Sequence, residues 1–201
     1  MPSVIIAPEN ATATAQNMID NRSLFQLGII ADIAVLLMEV ILTTILYQLF
    51  KPVNKTISMV AAFSRLAMSI IMGINLLNYI IPLQLLNGAD YLLVFQADQL
   101  EALALAFLNA HQYVVYVWGL FFGLHLLALG YLIFKSAYVP RVMGTMMMIG
   151  AFGYSIEGLV NIALLDNKLI SMIVVGLLVV AVVGELSFTF WLLIKGVKTT
   201  Q

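Results

Sequence analysis

The stretch LISMIVVGLLVVAVVGELSFTFWLLI, residues 169–194, contains one charged side chain, Glu185. A helix of about 20 predominantly apolar residues is long enough to cross the hydrocarbon core of a bilayer. The stretch therefore predicts a membrane-spanning helix. Its carboxylate is a second signal, because ionisable groups at that depth usually face the interior of a bundle and pair with other polar groups.

Four more stretches have the same character, so the sequence predicts an all-α fold, a polytopic membrane helix bundle with five transmembrane helices. The predicted helices cover residues 24–50, 57–86, 103–134, 142–165 and 169–194. Pro82 is expected to kink or end the second helix, since proline interrupts helix hydrogen bonds. The connections are too short for a soluble domain. Residues 24–198 are therefore predicted as a single transmembrane domain, and the polar residues 1–23 as an extracytoplasmic tail or interfacial segment.

The composition excludes several classes of protein. Of the 201 residues, 63% are apolar and 9% are charged, and the mean hydropathy is +1.05; soluble domains carry about 25% charged residues. Nine Lys and Arg against ten Asp and Glu leave no basic field for nucleic acid. Without cysteine there is no disulfide, thiolate metal site or Cys nucleophile. We expect membrane lipids as partners, with other membrane subunits or further copies of the chain as open alternatives.

The basic residues predict the orientation in the membrane. One side of the predicted bundle carries Lys51, Lys55, Lys135, Arg141, Lys195 and Lys198, and the other side carries Arg22 and Lys168. Three helices also end with an aromatic residue four positions before a lysine, at Tyr47, Tyr131 and Trp191, which is typical of an interface anchor. The positive-inside rule then predicts a cytoplasmic membrane protein with its N-terminus outside and its C-terminus in the cytoplasm.

Four ionisable residues are predicted at one depth. Counted from the cytoplasmic ends of their helices, Glu39, Arg65, His125 and Glu185 all lie about 15–18 Å deep, near the bilayer midplane. We expect Glu39 and Arg65 to form an ion pair that His125 and Glu185 extend into a buried polar network. A second polar layer is predicted nearer the outer face, consisting of Asp32, Asn75, Asn78, His111 and Glu157.

Neither a metal site nor a cofactor site is predicted. The two histidines, His111 and His125, are fourteen residues apart on one helix, so about 21 Å separates them and they cannot share an ion or a haem. A metal held by His125, Glu39 and Glu185 is conceivable, but the charge of Arg65 would repel it. We assign no catalytic residues.

Before the third predicted helix, Asp98 and Glu101 resemble a capping box, with Asp98 as the N-cap. A helix from there to residue 134 would be about 54 Å long, so we expect it to protrude from the membrane or to break near residues 109–111. The Gly119–Gly123 pair is a GxxxG motif, which permits close helix packing. We expect that packing to lie inside the bundle.

Several segments resemble a known family of bacterial multi-pass membrane proteins. They are LYQLFKPVNK (46–55), GADY (88–91), GLH (123–125), LGYLIFKS (129–136), GELS (184–187) and WLLIKG (191–196). On these segments the chain is similar to domain of unknown function family 4386, a resemblance that covers nearly the whole chain. It implies six transmembrane helices and no established biochemical activity. Members usually have a helix before the segment that resembles residues 11–14, so we expect the first helix of that pattern to be missing here.

Two functions remain open on the sequence. The first is a non-enzymatic membrane protein: a transporter-like or ligand-binding bundle, or a subunit of a larger assembly. The second is an intramembrane enzyme, such as a lipid hydrolase with a midplane His/Glu site. A polar network that only sets the helix register is a third interpretation. A cavity at the network would distinguish these alternatives.

Overall fold

The computed structural model describes residues 6–7, 9–136 and 138–196, and this part of the chain is helical with no β-strand, which confirms the all-α fold class. The elements in order are α1 (Ala11–Asp20), α2 (Arg22–Phe50), α3 (Lys55–Asn75), α4 (Leu77–Leu85), a 3₁₀ turn (Asp90–Leu92), α5 (Ala97–Lys135), α6 (Arg141–Ile162) and α7 (Lys168–Lys195).

Among the described residues, four helical segments are long and apolar enough to cross a membrane: α2, α3 together with α4, α5 and α7. In the most apolar part of α5, 56% of the residues are buried, against 17% in α2 and in α7. Most of the apolar side chains of α2 and α7 are therefore exposed. At 22 residues α6 is also long enough, but it contains four glycines and Glu157 and is less apolar.

One compact unit comprises the described part of residues 1–38 and residues 71–115. Asn10 caps α1 by accepting a hydrogen bond from the backbone N–H of Ala13. Near the start of α5, Glu101 accepts a 2.6 Å hydrogen bond from the Thr12 hydroxyl. The core of this unit consists of Met18, Phe25, Ile29, Leu76, Tyr79 and Leu108.

Two local predictions for this unit need correction. The cap of α5 lies two residues earlier than predicted: the side chain of Gln99 accepts from the backbone N–H of Gln96, while Glu101 binds Thr12 instead. The predicted second helix is interrupted at Leu76, and Pro82 lies inside α4, which continues to Leu85.

The second unit comprises residues 39–70 and the described part of residues 116–201. Its core includes Phe50, Leu126, Leu132, Ile133 and Met147, all almost fully buried. The GxxxG motif of α5 packs against α6, where a Cβ at Gly123 would lie 2.8 Å from the Ala151 carbonyl oxygen. Glycines thus allow α5 and α6 to approach closely, as expected for packing inside the bundle.

The contact between α6 and α7 also depends on glycine. A Cβ at Gly150 of α6 would lie 2.5 Å from the Cα of Ala181 on α7, whereas a Cβ at Gly176 of α7 meets no atom within 4 Å. These two glycines differ in packing but not in secondary structure, so they form a matched pair.

We predict that Gly150→Ala lowers the free energy of unfolding by about 1–3 kcal/mol, because the added methyl group forces α6 and α7 apart. Gly176→Ala should leave it unchanged or raise it by up to about 1 kcal/mol, since alanine favours a helix. Denaturant titration of both variants in detergent measures the difference. Equal effects of the two substitutions would contradict the close α6–α7 contact.

Candidate functional site

A buried ion pair lies within the second unit. The Nε atom of Arg65 on α3 is 2.7 Å from the Oε2 atom of Glu39 on α2, and the two side chains are 11% and 21% exposed. Neither atom has an aligned hydrogen-bond partner, so the contact is an ion pair and not a straight N–H···O bond. Two hydroxyl groups also bind the backbone of these residues: Thr43 donates to the Glu39 carbonyl, and Ser69 donates to the Arg65 carbonyl.

His125 of α5 lies on the other side of the guanidinium. Its Nε2 atom is 2.9 Å from Arg65 Nη1, and its Nδ1 atom is 2.8 Å from the Ala61 carbonyl oxygen. An arginine can only donate and a carbonyl can only accept. Nε2 is therefore the acceptor and Nδ1 carries the proton, so the imidazole is neutral. Both nitrogens are engaged, and the ring is 1% exposed.

Glu185 of α7 faces the same cavity as Arg65 and Glu39. Its Oε1 atom is buried and has no hydrogen-bond partner among the described residues. A buried acceptor without a donor is uncommon in folded proteins and calls for an explanation. Glu185 Oε1 is thus an acceptor that no described residue uses, whereas Glu39 Oε2 is ion-paired with Arg65.

These residues line a cavity of about 370 Å³. Its walls are mostly apolar, and its polar groups come from α2, α3, α5 and α7. The lining consists of Glu39, Leu42, Leu46, Arg65, Met68, Trp118, Phe122, His125, Leu126, Leu129, Met147, Glu185, Phe188, Thr189, Leu192 and Leu193. Leu42 on α2 and Leu193 on α7 are 38% and 74% exposed, so the cavity opens at the outer apolar surfaces of these two helices.

An aromatic cluster forms one wall. Trp118 and Phe122 stack with their ring centroids 4.9 Å apart, and Tyr154 of α6 packs edge-on against both. Trp118 lies midway between His111 and His125, seven residues from each, and thus on the same face of α5, whereas no sequence pattern indicated Phe122 or Tyr154. Phe122 lies four residues after Trp118 and so belongs to the same face.

The first unit contains a separate polar cluster. Asn75 donates to the backbone carbonyl of His111, and Asn78 donates to Asn75. Tyr79, which the sequence analysis missed, lies 2.8 Å from His111 Nε2 and stacks on its ring. Asp32 lies on α2 in the same unit. The structure thus brings together Asn75, Asn78 and His111 and adds a tyrosine to them.

Glu157, the fifth residue of the predicted outer layer, lies on α6 in the second unit. Its backbone carbonyl accepts a hydrogen bond from the Asn161 side chain. It does not line the cavity, which makes it a matched control for Glu185.

No group of three or more His, Asp, Glu or Cys residues is arranged to hold a metal ion within the described part of the chain. His125 has both nitrogens occupied by protein partners. The conceivable metal set of His125, Glu39 and Glu185 therefore lacks a free imidazole nitrogen.

A family model for a domain of unknown function (DUF4386) matches residues 1–196. The chain belongs to this family. An uncharacterized protein of the archaeon Archaeoglobus fulgidus is 27% identical to this chain over 174 residues. The aligned part covers 87% of this chain and 86% of the archaeal protein. No solved structure matches the chain. The resemblance drawn from the sequence is confirmed, and the archaeal relative means that similarity does not restrict the protein to bacteria.

We predict that Glu39→Gln and Arg65→Gln each lower the free energy of unfolding by about 3–5 kcal/mol, because each leaves an uncompensated buried charge. The double variant should lose clearly less than the sum of the two. Denaturant titrations of the three variants provide the double-mutant cycle, with Glu157→Gln as the control. Additive losses would show that Glu39 and Arg65 are not coupled.

Proposed function

We propose that this DUF4386 protein is a multi-pass protein of the cytoplasmic membrane that binds a small ligand in the cavity of its second unit and performs no chemistry of its own. The observation that carries the proposal is the cavity itself. Its volume of about 370 Å³ lies in the range of small-molecule pockets, about 300–1,000 Å³. Like them, it combines mostly apolar walls with a few polar groups.

The proposal includes five membrane crossings, with α6 as the fifth. Its lower hydropathy is compatible with a crossing because glycines bring it close to α5 and α7, where it buries Met147 and Ala151. A helix that packs against its neighbours in this way needs less apolar surface than one that faces lipid.

The proposed orientation has the N-terminus outside and the C-terminus in the cytoplasm. It is supported by the basic residues at one set of helix ends. Lys51 lies 5.8 Å from the Tyr47 ring centroid, and Lys135 lies 5.9 Å from that of Tyr131. These pairs fit the aromatic and lysine belt of a membrane interface.

Single cysteines test this topology in a chain that has none of its own. With five crossings, a membrane-impermeant maleimide added to intact cells should label Asp166→Cys, between α6 and α7, but not Asn54→Cys, between α2 and α3. After lysis both should react. If only position 54 were labelled in intact cells, the orientation would be the opposite of the proposed one. If both positions behaved alike, they would lie on the same side, and one of the three proposed crossings between them would not exist.

The hydrogen bonds of His125 favour the binding proposal over the enzyme alternative. A general base needs a nitrogen or oxygen free to take a proton, and both nitrogens of His125 are hydrogen-bonded to protein groups. The nearby hydroxyls of Ser58 and Ser69 donate to backbone carbonyls. The site therefore supports binding rather than acyl transfer or hydrolysis.

The proposed binding site predicts different effects for two exposed residues of α7. Thr189 lines the cavity, whereas Val183, similar in size, does not. Thr189→Phe should fill the entrance. A panel of cationic, zwitterionic, neutral and anionic amphiphiles is screened by thermal unfolding in a non-ionic detergent. A ligand at one hundred times its Kd should raise the Tm by roughly 5–10 °C.

That increase should persist in Val183→Phe and disappear in Thr189→Phe. If no class of amphiphile shifts the Tm of the unmodified protein, or if both variants respond like it, the cavity is not a binding site.

A further inference from the structure

The charges of the cavity indicate which class of ligand it accepts. We infer that the ligand is an amphiphile with a single ammonium-type head group, held by Glu185, and an apolar body that enters from the lipid. This inference rests on the proposed binding function and adds the chemistry of the ligand to it.

The formal charge of the lining favours a cation. Glu39 and Arg65 neutralise each other across 2.7 Å. His125 is neutral, because it accepts from Arg65 and donates to Ala61. With both carboxylates ionised, the lining therefore carries one excess negative charge, that of Glu185. In a low-dielectric site an excess charge favours a ligand of the opposite sign.

Hydrogen bonding points to the same residue. Arg65 already directs Nε toward Glu39 and Nη1 toward His125, whereas Glu185 Oε1 is buried without a partner in the described chain. A ligand with an N–H or O–H group could donate a hydrogen bond to this acceptor, and any ammonium group would balance the charge of the carboxylate. An anionic head group in this cavity would lie near the carboxylates of Glu39 and Glu185, which would repel it.

The aromatic wall provides a second feature that attracts cations. Trp118 and Phe122 both line the cavity. The faces of aromatic rings carry partial negative charge, and tryptophan attracts ammonium groups most strongly. Phe122 stacks with Trp118 and with His125, so the attraction for a cationic head near Glu185 would come from the face of Trp118 that Phe122 does not cover.

The remaining lining explains the apolar body and its route. Leucine, methionine and phenylalanine side chains make up most of the wall, and the exposed Leu42 and Leu193 lie where the cavity reaches the outside of α2 and α7. These helices carry exposed apolar surfaces, which lie against lipid in a membrane. A ligand already dissolved in the bilayer could therefore enter sideways.

Three probes with a common 4-phenylbutyl body test the inference. One carries a trimethylammonium group, one a neutral tert-butyl group of the same shape, and one a carboxylate. Binding to the full chain in maltoside detergent is measured by calorimetry, with tryptophan fluorescence as a second readout. The ammonium probe should bind about tenfold more tightly than the neutral probe, or better, and the carboxylate probe most weakly.

Glu185→Gln should abolish the preference for the ammonium probe over the neutral one, while Glu157→Gln, the matched control on α6, should retain it. Glu185→Asp keeps the charge and should retain part of the preference. This second variant still tests the role of the carboxylate if Glu185→Gln does not fold. Thermal unfolding verifies that each variant is folded.

Two further outcomes separate this inference from the proposed function. If the carboxylate or the neutral probe binds best and Thr189→Phe blocks it, the cavity is a binding site but the ligand class is wrong. If none of the three probes binds and the wider amphiphile panel also fails, both proposals are wrong. A preference for the ammonium probe that survives in Glu185→Gln would refute the role of Glu185.

Discussion

The buried guanidinium of Arg65 imposes the strongest physical constraint on the second unit. A charge in the interior of a membrane bundle is tolerated only when neighbouring groups compensate it. Arg65 meets this requirement with Glu39 on one side and His125 on the other, and His125 is held in one tautomer by the Ala61 carbonyl. Three helices, α2, α3 and α5, are thereby fixed in register by one side chain. Glu185 lines the same cavity, but its Oε1 atom accepts no hydrogen bond from the described residues.

Close packing at glycines is the second interaction that holds the helices of this unit together. Lipid and leucine are equally apolar, so helices associate in membranes through shape complementarity and hydrogen bonds. Gly123, Gly144 and Gly150 bring backbones together along α5, α6 and α7. On one side of the unit the helices are tightly packed, and near Glu185 they leave a cavity of about 370 Å³.

The family provides the setting for this site but no activity. DUF4386 is a domain of unknown function, and the Archaeoglobus fulgidus relative is uncharacterized. The function therefore has to be inferred from the chemistry of the cavity. In that cavity both nitrogens of His125 are hydrogen-bonded to protein groups, Arg65 and the Ala61 carbonyl. The unpartnered Glu185 oxygen leaves a site suited to recognition of a donor or a cation.

The sequence by itself determined the all-helical class, the positions of the long apolar helices and the presence of Glu39, Arg65, His125 and Glu185 at matching distances from their helix ends. These follow from hydropathy and from a rise of about 1.5 Å per residue, which are local quantities. The same local rules placed the cap of α5 two residues too late, since Glu101 binds the distant Thr12. They also did not predict the interruption of the second helix at Leu76. Tyr79, Phe122 and Tyr154 could not be assigned from the sequence either. Only the tertiary structure decided which nitrogen of His125 carries the proton, that Glu185 Oε1 has no hydrogen-bond partner among the described residues and that a cavity exists. Each of these depends on the rotation of helices about their axes, which the packing of neighbouring side chains sets.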